Sequence, residues 1–316
     1  MQIIKTLAEM KQIKQPAAAA IGNFDGVHLG HQALISQCVE ESRQNNWSSC
    51  VLTFSPHPLQ VIAPGSGLKL LNTLEQKIRL IESLGVDYLL LLPFDTALSE
   101  TLPEDFIKIY LVDLLNLTKV FVGFNFFFGK KGRGTSALLQ EKGLEYGFET
   151  AVIQPILLDD EVVSSSLVRE MYKSGHMEGA RRLLGYWPAL AGKVVEGDAR
   201  GRSIGFRTAN LELPGDLLLP DFGVYAAIAE IEDPDNPQPV SAWPSVVNIG
   251  VRPTFHLPRP TAEAHLLDFD GDLYQMNLRL HLIRKLRAEK RFADMQELGE
   301  QIARDIQTAR AVLMRE

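Results

Sequence analysis

The amino-acid sequence predicts an α/β first half built on a parallel sheet. It also predicts a second half that forms a small antiparallel barrel or sandwich with a C-terminal helix. Short apolar runs alternate with helical patterns from Ala17 to about Phe124, whereas many short β-type runs come after Gly185, punctuated by Gly, Pro, Asn and Asp. The length of 316 residues is enough for two domains.

The first half contains four apolar runs that are typical of buried strands. They are AAAAIG (Ala17–Gly22), SCVLTFSP, VDYLLLLPF and KVFVGF (Lys119–Phe124). The helical patterns between them are HQALISQCVEESRQ, LEQKIRLIESLG and PEDFIKIYLVDLLN. Because strands separated by helices of this length form right-handed crossover units, we expect an open parallel sheet.

The domain boundary is expected after a basic amphipathic stretch, LVREMYKSGHMEGARRLLG. Its last residue, Gly185, is a suitable helix stop, and Trp187 and Pro188 come shortly after it. The sequence therefore predicts a first domain over residues 1–186 and a second over residues 187–316.

The second half reads as a series of short strands and then a helix. The β-type runs are AGKVVEG, TANLELP, GVYAAIAEI, SVVNIG, EAHLLDF and LRLHLI. From about Lys290 the chain returns to a helical pattern, in which apolar residues recur at Phe292, Met295, Leu298, Ile302 and Ile306. We expect this apolar face to pack on the barrel.

Composition excludes several classes of protein. With 32 Lys and Arg against 39 Asp and Glu, the net charge is -7, and no basic run is present, so nucleic acid is not an expected partner. Cys38 and Cys50 form no CxxC pair, which fits a reduced, cytoplasmic protein without a zinc site or a disulfide framework. The sequence contains no uncharged apolar stretch of about 18 residues, which is the length that a membrane-spanning helix needs. The sequence gives no indication of oligomeric state.

The segment GNFDGVHLGH (Gly22–His31) is the strongest chemical signal in the first half. It lies between the first expected strand and the next helix, where glycines allow close ligand approach and free backbone N–H groups face an anion. His28 and His31 are three residues apart, so both imidazoles lie on nearly one helical face. The pair can donate hydrogen bonds to phosphate oxygens, and these bonds strengthen as charge builds in a transition state.

This segment resembles the HxGH signature of the nucleotidyltransferase superfamily, and its longer form resembles bacterial FAD synthetases. TFSPHP (Thr53–Pro58), VGFNFFFGKKGRG (Val122–Gly134) and VSSSLVRE (Val163–Glu170) come next in that family's order. Further motifs of the second half resemble riboflavin kinase: GRSIGFRTANLEL, GVYAA, SVVNIGVRPTF, EAHLLDF and LRAEKRF. Almost the whole chain is thus similar to the bifunctional riboflavin kinase/FMN adenylyltransferase family. The resemblance implies a Rossmann-like nucleotidyltransferase domain, then a riboflavin-kinase-type antiparallel β-barrel with a C-terminal helix.

The resemblance also implies roles for residues of the first domain. His28 and His31 would bind ATP phosphates, and the other residues of this set would shape the loop or hold phosphate: Gly22, Phe24, Asp25, Gly30, Asn125, Ser164, Ser165 and Arg169. Without the resemblance, the favoured interpretation is that Ser164–Ser166 only cap a helix and that Arg169 is solvated. His57 is either substrate-facing or a turn residue without chemical duty. The segment GKKGRGTS lacks the spacing of a Walker loop.

A second site is expected around Thr208 and Asn210. In an extended strand these two side chains emerge on one face, where a hydroxyl and an amide oxygen suit Mg²⁺ bridging ATP phosphates. Gly201 and Gly205 precede them and allow backbone approach to phosphate. By resemblance, Glu263 is the general base that takes the proton of the riboflavin 5'-hydroxyl.

The expected activities are riboflavin + ATP to FMN + ADP, and then FMN + ATP to FAD + pyrophosphate. The chain departs from the family pattern at Arg207, where a proline is usual, at Ser166, at Leu167, and at DLYQM in place of DLYG. Because Arg207 places a cation beside the metal site, one alternative is an adenylyltransferase whose second domain binds flavin without phosphorylating it. Another is a flavin-binding storage or sensing protein.

Overall fold

The computed structural model describes residues 1–196, 206–233, 236–252 and 259–315. The chain forms two compact units, Met1–Ser165 and Ser166–Glu316. Each unit has its own sheet system.

The first unit is built on a six-stranded, fully parallel sheet. The ten strands of the unit, in chain order, are β1 Gln2–Ile4, β2 Ala17–Ile21, β3 Ser48–Ser55, β4 Tyr88–Pro93, β5 Lys119–Gly123, β6 Phe127–Phe128, β7 Gly134–Thr135, β8 Glu149–Ile153, β9 Leu157–Leu158 and β10 Glu161–Val162. The sheet order is β1-β4-β3-β2-β5-β8, and β6-β7 and β9-β10 form small antiparallel hairpins. The expected parallel α/β architecture is confirmed.

Six of the seven helices of this unit begin at a side chain that accepts a backbone hydrogen bond, and the remaining one begins at Pro103 instead. The seven helices are α1 Leu7–Met10, α2 Leu29–Asn45, α3 Pro58–Ile62, α4 Leu74–Ser83, α5 Thr96–Ser99, α6 Pro103–Phe106 and α7 Ser136–Tyr146. Thr73 and Gln76 form a reciprocal capping box at the start of α4, and Gly147 ends α7 in the left-handed conformation. The PEDFIKIYLVDLLN pattern is helical as expected, but α6 continues as a π-helix over Ile107–Leu114.

Strand β2 lies at the centre of the sheet and is buried on both faces. Ala17, Ala19 and Ile21 belong to one hydrophobic cluster, and Ala18 and Ala20 belong to a second cluster. This division results from the two-residue period of a strand. Small side chains along β2 therefore let helices cover both faces closely, and they fix the position of the loop after Ile21.

The second unit is a closed six-stranded barrel with two helices before it and one after it. Its elements are α8 Ser165–Lys173, which begins at the last residue of the first unit, α9 Met177–Leu184, β11 Ala189–Val195, β12 Ala209–Glu212, β13 Gly223–Asp233, β14 Asn236–Arg252, β15 Arg259–Leu266, β16 Asn277–Arg287 and α10 Met295–Leu313. The barrel order is β11-β12-β15-β14-β13-β16, and every pair is antiparallel. The antiparallel barrel with a C-terminal helix is confirmed.

Helix α10 packs its apolar face on the barrel, as the sequence indicates. Ala309 is buried with Val224, Ala226 and Val246, and Ile306 packs against this cluster. The helix begins at Met295 rather than near Lys290, because the Asp294 side chain accepts a hydrogen bond from the backbone of Glu297 and caps the first turn. Phe292 therefore lies ahead of the helix, at the wall of a cavity.

Helices α8 and α9 pack with the barrel. Glu178 on α9 pairs with Arg284 on β16, and the backbone N–H of Asp221 donates to the carbonyl of Tyr172 on α8. Gly185 ends α9 with φ 78°, as the sequence predicts. Because these helices precede residue 186, the two compact units divide earlier than the domain boundary expected from the sequence, which stays a prediction.

Candidate active sites

The loop between β2 and α2 occupies the point in the first sheet where the strand order reverses. From β2 the chain continues to β3 on one side, whereas β5 pairs with β2 on the other side. In open parallel sheets, ligands bind outside the carboxyl ends of the strands at such a switch point. The loop that carries His28 therefore lies where the fold itself favours a nucleotide.

The backbone of this loop is held in conformations that side chains rarely adopt. Phe24, Gly26 and Val27 have φ values of 49°, 85° and 33°. Phe24 and Val27 are fully buried, so their packing compensates for the unfavourable backbone. A Cβ at Gly22 would lie 3.0 Å from the Phe24 ring, which explains the glycine at that position.

The two histidines form a stacked pair at the start of α2. Their ring centroids are 3.7 Å apart with an interplanar angle of 18°, and the Phe24 ring meets His31 edge-on at 5.3 Å. His28 is the N-cap residue, and its Nδ1 accepts a hydrogen bond from the His31 backbone at 3.4 Å. A Cβ on Gly30 would lie 3.2 Å from the His28 ring. Phe24 and Gly30 thus define the space in which the imidazoles are stacked.

Burial keeps His31 neutral. Its pKa is lowered well below 6.5, chiefly by burial, and the nearby charges of His28 and Lys77 lower it further. Among the described residues, the buried Nδ1 of His31 has no hydrogen-bond partner. A neutral imidazole donates through one ring nitrogen and accepts through the other, so the pair can offer N–H groups to an anion at the helix start.

Asp25 holds the loop rather than facing solvent. Its carboxylate accepts a hydrogen bond from the Leu71 backbone at 3.0 Å, and its carbonyl accepts one from the Ser165 hydroxyl at 2.8 Å. Only 3% of Asp25 is exposed. The segment VSSSLVRE therefore contacts the GNFDGVHLGH loop directly through Ser165.

The other predicted residues of this site lie on separate elements. Ser164 precedes α8, and Arg169 lies half-buried one turn after Ser165 on that helix. Asn125 is exposed in the turn after β5, at the same carboxyl edge as Gly22. His57 caps α3, where its Nδ1 accepts a hydrogen bond from the Leu59 backbone at 3.2 Å. This contact gives His57 a structural role.

Exposed apolar side chains come after three strands at this carboxyl edge, β4, β3 and β5, the last of which is separated from β3 by β2. Leu59 and Ile62 lie after β3, Leu102 after β4, and Phe124 and Phe127 after β5. Such side chains are unusual at the mouth of a purely phosphate-binding site, and they suit a flat aromatic ligand.

The second site is formed by a row of polar residues across three barrel strands. Asn210 on β12 lies opposite Glu263 on β15, and Glu263 lies opposite Asn248 on β14. Residues in register share one face of a sheet, so the carboxylate is flanked by two amides. Asn210 is buried, whereas Asn248 and Glu263 are partly exposed.

Two cavities meet at this row. The larger, of about 780 Å³, is lined by Thr208, Asn210 and the segment Asp268–Tyr274. The smaller, of about 220 Å³, is lined by Glu263, Asn248 and apolar residues of α10. Thr208 and His265 line both cavities, so these two residues form a shared wall across which a group can be transferred.

Arg207 is directed to a carboxylate at the edge of the larger cavity. Its Nη1 lies 2.6 Å from an Asp270 carboxylate oxygen, and both side chains are largely exposed. Its carbonyl is 2.7 Å from His265 Nδ1. The guanidinium charge beside the expected metal ligands is thus balanced by Asp270. Gly201 and Gly205, expected to approach phosphate, lie outside the described residues.

Several residues of these sites have no role assigned to them from the sequence. Arg287 on β16 makes a paired contact with the buried Asp305 of α10, at 2.8 to 3.1 Å, and both line the smaller cavity. Asn248 lies within SVVNIGVRPTF and His265 within EAHLLDF, but the sequence assigns no role to either residue; the strand register sets Asn248 opposite Glu263. An ion pair across 18 residues has no local pattern that reveals it.

The oxygen donors present near the row fit a hard divalent cation. Among the described residues, no cluster of three His, Cys, Asp or Glu side chains suits a metal ion. The Thr208 hydroxyl, the Asn210 amide and phosphate oxygens of a nucleotide are the kinds of ligand that Mg²⁺ accepts while keeping several waters.

In the parts of the chain that the structure describes, no helix is both long and apolar enough to cross a membrane.

Two family models match the chain, one on each half. The model of FAD synthetase matches residues 10–167, and the model of riboflavin kinase matches residues 184–313.

Similar proteins cover nearly the full length. The bifunctional riboflavin kinase/FMN adenylyltransferase of Escherichia coli (strain K12) is 39% identical over 311 residues, which is 98% of this chain and 97% of that protein. The protein of the same description from Bacillus subtilis (strain 168) is 34% identical over 304 residues, or 95% and 93% of the two chains. A crystal structure described as a macrolide-efflux protein from Streptococcus pneumoniae has a TM-score of 0.86 at 25% identity, covering 98% of this chain and 99% of its own.

Proposed function

Because the chain belongs to the bifunctional riboflavin kinase/FMN adenylyltransferase family, we propose that the barrel site and the histidine-loop site perform the two reactions of that family. The chain is an enzyme of flavin synthesis with both domains: it phosphorylates riboflavin to FMN and adenylylates FMN to FAD. Each site then has its own substrates and its own set of reacting residues.

In the kinase site, we assign riboflavin to the smaller cavity and ATP to the larger one. The smaller cavity combines the apolar walls of Phe206, Phe292 and Leu298 with the carboxylate of Glu263, which suits a flat ring that carries a hydroxyl chain. Thr208, Asn210 and Arg207 line the larger cavity. The shared wall then lies between the 5'-hydroxyl and the γ-phosphate.

Glu263 is the general base of this reaction. Its carboxylate takes the proton from the riboflavin 5'-hydroxyl while that oxygen bonds to the γ-phosphorus. The bond from the γ-phosphorus to the bridging oxygen breaks, and ADP leaves with that electron pair. Asn210 and Asn248, on either side of Glu263 in register, hold the carboxylate on the face where the hydroxyl arrives.

A divalent metal is generally needed by both families, and we propose Mg²⁺. Thr208 and Asn210 would hold it in the kinase site. When bound, it neutralises charge on the phosphates of ATP.

In the adenylyl-transfer site, the phosphate of FMN is itself the nucleophile and needs no base. One of its oxygens attacks the α-phosphorus of ATP, and pyrophosphate leaves. His28 and His31 donate hydrogen bonds to ATP phosphates from the start of α2, and Asn125, Ser164 and Arg169 complete the binding of phosphate groups, while the Ser165 hydroxyl holds the loop through the Asp25 carbonyl. The exposed apolar edge around Phe124 and Leu59 receives the isoalloxazine ring.

We also propose a cytoplasmic location and no nucleic-acid partner. Both cysteines are free and buried, so the fold needs no oxidising compartment, and the net charge is -7.

The observation that carries the residue assignment is the row Asn210, Glu263 and Asn248, in which Asn210 lines the larger cavity and the other two line the smaller one. An Asn210→Ala variant, supplied with riboflavin and ATP, should lose FMN formation and keep FAD formation from added FMN. Asn277→Ala is the control, since Asn277 lies on β16 and lines neither cavity. Equal loss of both activities in a folded Asn210→Ala protein would contradict the assignment.

A further inference from the structure

A buried lysine lies behind the histidine loop of the first unit. Lys77 is on α4, and only 7% of it is exposed. Lysine is almost never buried to this extent without a partner, because removing an ammonium group from water is costly. Its Nζ donates a hydrogen bond to the backbone carbonyl of Asn23 at 2.8 Å.

The carbonyl that Lys77 binds is a fixed point of the loop. It also accepts a hydrogen bond from the buried Thr53 hydroxyl at 3.2 Å. The next residue, Phe24, has φ 49°, so the chain turns sharply just after this carbonyl. Two donors on one oxygen, supplied by β3 and α4, therefore fix the orientation of the peptide from which the loop departs.

Charge also connects Lys77 with the site. Burial lowers the pKa of His31, and the charges of His28 and Lys77 lower it further. Burial also lowers the pKa of Lys77, and the Asp25 carboxylate opposes that effect. A cation close enough to influence His31 also attracts an anion that His31 contacts. Its position in the interior protects that attraction from screening by salt.

We propose that Lys77 is a positioning residue for adenylyl transfer, which fixes the Gly22–His28 loop through the Asn23 carbonyl and places a buried ammonium group against the loop that carries the His28–His31 pair. The inference rests on the proposed function of that pair. It assigns to α4 a part in the reaction that the sequence motifs do not indicate.

Lys77→Met tests this, since methionine keeps most of the volume and removes the charge and the donors. Displacing a reacting group by about 1 Å costs about 100-fold in rate, so we expect a loss of this order in kcat for FAD formation. The KM for FMN should change by less than about twofold. FMN formation from riboflavin, measured on the same preparation, should be unchanged. Lys142→Met is the matched control, because Lys142 pairs with Glu145 at the surface of α7.

Two further variants separate positioning from bulk packing. Lys77→Arg keeps the charge, so its kcat for FAD formation should be at least about tenfold higher than that of Lys77→Met. Thr53→Val removes the second donor to the same carbonyl. Because both donors act on one oxygen, the loss of rate in the double variant should differ from the sum of the losses in Lys77→Met and Thr53→Val, expressed as free energies. Full FAD formation in Lys77→Met, parallel loss of FMN formation, or strictly additive losses would overturn the proposal. His28→Ala distinguishes the two levels: if it leaves FAD formation intact, the proposed function of the site fails, whatever Lys77 does.

Discussion

Replacing His28 by alanine should separate the two activities of the chain. The substitution removes the imidazole that is stacked at 3.7 Å on His31 and that caps α2 with a 3.4 Å hydrogen bond. A ring pair contributes about 0.5–1.5 kcal/mol. A helix cap contributes about 1 kcal/mol, and a hydrogen bond as long as 3.4 Å contributes less than that. The free energy of unfolding should therefore fall by about 1–2 kcal/mol.

The expected loss of catalysis is larger than the loss of stability. Removing one preorganised donor to developing charge costs about 100- to 1000-fold in rate, or about 2.7–4 kcal/mol. Since the free energy of unfolding of a domain is about 5–15 kcal/mol, a decrease of about 1–2 kcal/mol leaves the protein folded. Reduced FAD formation in His28→Ala must then come from chemistry rather than from unfolding.

The assay supplies FMN and ATP in one reaction and riboflavin and ATP in another, and separates the flavins by chromatography. FAD formation should fall by about 100- to 1000-fold while FMN formation stays within about twofold. His28→Asn is the control, because asparagine caps helices well but lacks the ring. It should recover part of the stability and none of the rate. FAD formation within about fivefold of the unsubstituted protein in His28→Ala would refute the reasoning.

Other variants test the kinase base, the Arg287 ion pair and the buried imidazole. Glu263→Gln should lower FMN formation by about 100- to 10,000-fold with FAD formation from FMN intact, and loss of both activities would exclude Glu263 as a dedicated base. Asp305→Ala should reduce the free energy of unfolding by about 3 kcal/mol in urea titrations, because it leaves the partly exposed Arg287 without its buried partner; a change below about 1 kcal/mol would contradict this. The pKa of His31 is lowered on folding, so below about pH 6.5 the unfolded chain binds more protons, and stability falls as the pH falls. His31→Gln should flatten that dependence between about pH 5 and pH 7, and an unchanged slope would show that other groups produce it.

Local patterns are enough to predict most of the elements. Four strands of the parallel sheet, the strands of the barrel, the stop at Gly185 and the packing of α10 on the barrel agree with apolar periodicity and glycine position, whereas the edge strands β1 and β8 are not among the predicted runs. The start of α10 is predicted about five residues early, because Phe292 continues the apolar spacing although Asp294 provides the cap. A π-helix after α6 has no sequence signal of comparable strength.

The sites are predictable where motif residues are close in sequence. His28 and His31 stack because they occupy one helical turn, and their spacing alone indicates this. The contact of Lys77 with Asn23 spans 54 residues, and that of Arg207 with Asp270 spans 63. Such pairs depend on sheet order and register, which single-sequence patterns do not specify.

The central claim is that one chain transfers the terminal phosphoryl group of ATP at one site and the adenylyl group at another. Riboflavin should be incubated with ATP that carries one phosphorus isotope at the α position and a different one at the γ position. We expect FMN with only the γ label, FAD with both labels in equal amounts, and accumulation of γ-labelled FMN alone in His28→Ala. FMN that carries the α label, or FAD without the γ label, would contradict it.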